Sequence, residues 1–155
     1  MRFELLFLGK TKEPYLAAGI ADYAKRLARY IATDIKILKE KKIKKGTAEN
    51  VRIANDSDIL LQSTQGSQLI CLDRSGRQMD SLDLAAQVES WAMQGQKKIT
   101  FIIGGPLGLS PAILTNADLI LSLSPMTFTH EMTRLLLLEQ LYRACTIRAG
   151  EKYHK

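Results

Sequence analysis

The chain has 155 residues, enough for one domain with a proper core, and its 46% hydrophobic and 25% charged residues exclude global disorder. Lys and Arg outnumber Asp and Glu by 22 to 16, a net charge of +6 that favours a polyanionic partner without dictating a fold. The two cysteines, Cys71 and Cys145, stand in apolar runs with no Cys or His at metal-ligand spacing, which leaves a disulfide framework and a zinc site unsupported and suits a reducing cytoplasm.

In chain order, Arg2 to Leu8 reads as a strand, but Glu4 interrupts the run and no small-residue cleavage pattern follows, so it is not a targeting segment. Pro14 is tolerated in a first helical turn, and Tyr15, Leu16, Ile20, Tyr23 and Leu27 then recur at helical spacing. Asp34 to Lys39 reads as a second strand, the lysine-rich run to Gly46 as an exposed loop, and Ala48 to Gln62 as a helix. The third strand is "SQLICLD". Asp80 or Ser81 caps a helix that carries Leu84, Val88 and Trp91 on one face, and Gly95 ends it.

The fourth strand, "KKITFII", runs into the glycine turn "GGPLG". Ser110 and Pro111 then start a short helix through Thr115, "DLILSLS" forms a fifth strand, and His130 to about Ala149 forms the longest helix, leaving a polar tail. The run of four leucines from Leu135 is far too short to span a bilayer. Strands alternating with helices predict a single α/β domain: a mostly parallel sheet of five to six strands with helices on both faces.

In such a sheet, ligands bind in the loops beyond the carboxyl ends of the strands. Three loops there stand out: "LDRSG" after the third strand, the glycine turn after the fourth, and "LSPMTFTH" after the fifth. Gly104, Gly105 and Gly108 have neither the spacing of a dinucleotide fingerprint nor the lysine of a phosphate-cradling loop. The uncharged segment from Leu123 to Phe128 suits a flat purine read by main-chain groups. A plain tight turn and an internally satisfied crossover are the competing readings.

From the glycine turn to the carboxyl end, "IGGPLGLS" followed by "LSLSPMTFTHEMTRLLLLEQLYRACTIRAGEKYHK" closely resembles the ribosomal RNA large-subunit methyltransferase H family. The likeness extends more weakly to "CLD" and to the first strand and helix. These are SPOUT-class enzymes, and the resemblance implies methylation of N3 of a pseudouridine in 23S rRNA, a deep C-terminal trefoil knot, S-adenosylmethionine as cofactor with no metal, and a homodimer. It places the cofactor against Leu72, Gly104, Gly105 and the loop Leu123, Ser124, Pro125, Met126, Thr127 and Phe128.

S-adenosylmethionine carries an activated methyl group, so the protein has to align the N3 nucleophile and assist removal of its proton. Candidate groups are Glu139, Arg143, Tyr153 and His154. For Glu139 and Arg143 a structural ion pair is the competing reading. For the terminal residues it is fraying. His130 reads as an organiser of the cofactor loop.

Two cationic clusters are candidate phosphate contacts, Lys41, Lys42, Lys44 and Lys45 in the loop and Lys25, Arg26 and Arg29 on the first helix, joined by Lys155 at the terminus. The last helix is apolar on more than one face, which predicts either a homodimer through it or a central place within one subunit. The expectation is therefore a soluble cytoplasmic rRNA methyltransferase acting on the ribosome. The alternative is a non-catalytic RNA- or ribosome-binding module that retains the fold; a nucleotide hydrolase lacks its phosphate loop.

Overall fold

A computed structural model describes residues 1–39 and 46–153. Lys41, Lys42, Lys44, Lys45, His154 and Lys155 lie outside the described residues. Among the described residues five strands, β1 (Arg2–Leu8), β2 (Thr33–Leu38), β3 (Gln68–Gln78), β4 (Lys98–Ile103) and β5 (Leu119–Ser122), pair in parallel in the order β2-β1-β4-β3-β5. The helices there are α1 (Pro14–Leu27), α2 (Glu49–Gln62), α3 (Ser81–Met93), α4 (Pro111–Thr115) and α5 (His130–Arg148).

The interior strands are buried on both faces, which is why β1 reads as a continuous apolar run. Phe3, Leu5 and Phe7 join Phe101, Trp91, Leu84 and the buried residues of α5 in the larger core. Leu6, Cys71 and Ile102 face the other way, toward Leu60 of α2 and Ile113 of α4. Glu4 is the exception on that second face: its carboxylate meets Lys36 at 2.5 Å, Lys98 at 3.6 Å and the Thr100 hydroxyl at 3.2 Å, so the buried charge is paired.

One element departs from the sequence reading. The segment "LDRSG" is not a free loop, because β3 continues through it to Gln78: Leu72 and Arg77 both pair with Leu121, and the residues between them bulge outward. Asp73 shapes the bulge by accepting hydrogen bonds from the Ser75 N–H at 2.9 Å and hydroxyl at 2.6 Å. Gly76 then returns so close to β5 that a Cβ there would lie 2.5 Å from the Ile120 carbonyl oxygen.

For α5 the sequence left two readings, a homodimer through it or a central place within one subunit. The helix lies along the sheet between α1 and α3, burying Leu137, Leu138, Leu141, Ala144 and Cys145 within the subunit. Gly19 of α1 lets the two helices approach, since a Cβ there would be 2.9 Å from Leu135 Cδ1. The multi-sided apolarity of α5 is thus met by the subunit's own α1, α3 and sheet, and does not by itself demand a second chain.

Candidate active site

β3 sends its following helix, α3, to the larger-core face, whereas β4 sends α4 to the opposite face. Diverging connections of this kind open a crevice at the carboxyl ends of the strands. A cleft of about 770 Å³ lies there, within the range of small-molecule sites. Leu72, Ile103, Leu121 and Leu123 furnish apolar walls.

One side of the cleft is the glycine turn. The Gly108 N–H donates to the Gly105 carbonyl at 3.0 Å, Gly108 adopts φ +80, and a Cβ on Gly104 would lie 2.6 Å from the Gly108 carbonyl oxygen. Gly104 is therefore required first by the chain's approach to itself. Gly105 differs, because its nearest neighbour, Leu8 Cδ2, is 3.4 Å from an added Cβ, which is ordinary contact.

The opposite side is the segment from Leu123 to Thr129. The Ser122 hydroxyl donates to the Ser124 carbonyl at 3.1 Å, the Met126 N–H donates to Ser124 Oγ at 3.0 Å, and Thr129 Oγ1 caps α5 by accepting from the Met132 N–H at 3.2 Å. Met126 and Phe128 stand out from this wall, 72% and 38% exposed. Every residue expected to hold the cofactor lines the cleft except Pro125, which is exposed. Asp73 and Arg74, part of the "LDRSG" segment singled out after the third strand though not named as cofactor contacts, also line it, as does Thr133, which no local pattern marks; His130 lines it at the start of α5.

A buried ionic clamp fixes that end of α5. The Glu131 carboxylate accepts the Lys12 N–H at 3.0 Å and the Glu13 N–H at 3.1 Å, capping the start of α1. Arg134, fully buried over the Phe7 ring, donates to the Leu8 carbonyl at 2.6 Å and to Thr11 Oγ1 at 3.0 Å. Charged residues amid an apolar helix were the available sequence signal. Burial raises the Glu131 pKa, but the two N–H groups, then His130 and Arg134, outweigh it and hold the carboxyl below its usual range.

Glu139, Arg143 and Tyr153 come together, though not at the cleft. Arg143 pairs with Glu139 at 2.6 Å and stacks 4.7 Å from the Tyr153 ring, whose hydroxyl donates to Glu139 at 3.2 Å and lies 3.4 Å from the Tyr23 hydroxyl. Lys25, Arg26 and Arg29 line a small hollow with Tyr142 at the same end of the molecule, and Arg26 pairs with Asp22 at 2.8 Å. At 1.5 Å per residue, Glu139 lies about 14 Å and Arg143 about 20 Å along α5 from His130.

A family model described as "Predicted SPOUT methyltransferase" matches residues 1–154. The ribosomal RNA large subunit methyltransferase H of Desulfotalea psychrophila is 47% identical over 156 residues, and that of Acetivibrio thermocellus 41% identical over 167, each match spanning both whole chains. The chain belongs to the large-subunit methyltransferase H family of SPOUT methyltransferases. Its fold is also that of the tRNA (m1G37) methyltransferase from Aquifex aeolicus, with a TM-score of 0.55 at 12% identity over 92% of this chain and 70% of that one. A probable methyltransferase from Bordetella pertussis gives 0.58 at 13% identity over 93% and 96%.

For this SPOUT protein the electrostatics separate two kinds of group. The hydrogen bond with Tyr23, burial and the Glu139 charge all raise the Tyr153 pKa, so its phenol stays protonated and acts as a donor. Its hydrogen bond to Glu139 raises the Arg143 pKa further, keeping that guanidinium a fixed cation. Burial pushes the thiols of Cys71 and Cys145 up to about 12 and about 11, so neither is a nucleophile at neutral pH. Among the described residues, no group of His, Cys, Asp and Glu gathers as a metal site, and no helix is long and apolar enough to cross a membrane.

Proposed function

We propose that the protein is an S-adenosylmethionine-dependent methyltransferase that modifies N3 of a pseudouridine in 23S rRNA, acting on ribosomes in the cytoplasm. The observation that carries this reading is the cleft between the glycine turn and the 123–129 segment, in a chain of this family. Its apolar walls suit a purine, its main-chain groups suit polar reading of the ring edge, and its volume of about 770 Å³ accommodates a nucleoside carrying an amino-acid arm. S-adenosylmethionine bound there supplies the activated methyl group.

The chain's own residues hold and orient. Leu72 and Leu121 would pack against the purine, Gly104 and Gly105 would leave room for it at the turn, and Leu123 to Phe128 would hold it from the opposite wall. The protonated Tyr153 and the Arg143 guanidinium stabilise negative charge developing on the base. His154 takes the N3 proton or holds the base in place, and Lys155 stabilises the developing charge or meets phosphate. The distance between the cluster and the cleft within one chain favours a homodimer in which the tail of one subunit completes the cleft of the other. Lys25, Arg26 and Arg29, beside that tail, and Lys41, Lys42, Lys44 and Lys45 meet RNA phosphates.

The test is calorimetry with S-adenosylmethionine in chelator, beside transfer of tritiated methyl groups to purified ribosomes from a strain lacking the enzyme. Binding without metal and labelling of large-subunit rRNA are expected. Ribosome binding without cofactor affinity would instead mark a non-catalytic module.

A further inference from the structure

The turn between β1 and α1, Lys10 to Tyr15, enters the site described above only through Thr11 and the backbone of Lys12 and Glu13, held by the Glu131–Arg134 clamp, yet its exposed side chains are unusual in placement and composition. Tyr15 is 65% exposed in the first turn of α1. Lys10 and Lys12 are exposed beside it, with Glu13 the one carboxylate in the run. The Gly9 N–H donates to the Leu38 carbonyl at 2.9 Å, so exposed Lys39 leaves β2 next to Lys10.

This patch adjoins the cleft. Leu8, which precedes it, packs under Gly105 of the glycine turn. The backbone N–H groups of Lys12 and Glu13 lie 3.0 and 3.1 Å from the carboxylate of Glu131, the residue after cleft-lining His130. Burying Glu131 and Arg134 costs desolvation, and what that clamp holds in place is the patch's backbone. A segment already ordered loses little entropy when it binds. Lysines interleaved with an exposed aromatic have the chemistry to meet unpaired RNA, the cations on phosphates and the ring on a base face.

We propose that Lys10, Lys12, Lys39 and Tyr15 form an RNA-contact surface on the rim of the cofactor cleft, with Tyr15 stacking on an unpaired base and the lysines neutralising phosphates that flank the target. The proposal rests on the rRNA methyltransferase reading and adds the strand path on the cleft's own subunit.

The test measures the affinity of the full-length protein for purified ribosomes by sedimentation across a KCl series. It compares wild type with Tyr15→Ala, Tyr15→Trp and the pair Lys10→Ala, Lys12→Ala, alongside cofactor calorimetry and solution mass for each. Tyr15→Ala should weaken ribosome binding about 10-fold and Tyr15→Trp should restore it. The lysine pair should lower the slope of log affinity against log salt by about 1.5, because each phosphate contact releases counterions. Cofactor affinity and mass should hold. Unchanged affinity and salt slope overturn the surface, and so does a changed mass, which would make Tyr15 a subunit-contact residue. A wild type that binds ribosomes but transfers no methyl group overturns the function above while leaving this surface in place.

Discussion

Adjacent glycines in the turn after β4 do different jobs, and substitution separates them. A Cβ on Gly104 would lie 2.6 Å from a carbonyl oxygen, whereas one on Gly105 meets a methyl group at 3.4 Å. Gly104→Ala should therefore cost about 1–3 kcal/mol, lowering the melting temperature by roughly 2–10 °C, while Gly105→Ala melts close to wild type. Thermal unfolding checks both, and equal melts would show that the turn can relax. Effects on cofactor affinity divide in the same way: loss in Gly104→Val reports an opened turn, and only loss in a normally melting Gly105 variant reports a crowded ligand. That the turn mattered was legible in "GGPLG"; which glycine faces the chain itself was not, because it depends on where Gly108 returns.

At the scale of the element, α5 combines an apolar body with a charged first turn. Glu131 is held below its ordinary pKa in the folded protein, so its contribution to stability is present above the ordinary carboxylate range and is lost as pH falls through the lowered value. Glu131→Gln should cost about 1–2 kcal/mol near pH 7 by weakening the bonds to Lys12 and Glu13. The gap between its melting temperature and that of the wild type should narrow as pH drops below about 4. A gap independent of pH would show that the carboxylate charge contributes nothing. The helix itself was legible in the sequence from His130 onward, because a long run of apolar and helix-favouring residues without Gly or Pro is a local property, although the Thr129 cap was seen only in the structure. That its leucines would be covered by α1 and α3 was not, since apolarity states a need for burial without naming what meets it.

For the whole molecule, the cleft and the Glu139–Arg143–Tyr153 cluster occupy different ends of α5, and the proposed dimer would join them across subunits. Two inactive variants test this: one lacking residues 153–155, the other with a Phe128→Asp substitution in the cleft wall. Mixed in equal amounts and allowed to exchange, they should recover about a quarter of wild-type methyl transfer, since half the dimers are mixed and each has one intact site. No recovery, with exchange verified by mass, would mean that tail and cleft act within one chain. The sequence by itself determined the α/β class, the order of strands and helices, the carboxyl edge as the place of the cleft, and the family. Each of these rests on periodicity, caps, turn chemistry or a motif, all written in residues near one another along the chain. Only the tertiary structure decided the strand order, the bulge that carries β3 beyond Asp73, the clamp from Glu131 and Arg134 onto the β1–α1 turn, and the separation of cluster from cleft. These depend on contacts between residues 40 to 130 positions apart, such as Leu72 with Leu121 or Tyr23 with Tyr153, whose pairing is set by packing and charge satisfaction that no local pattern encodes.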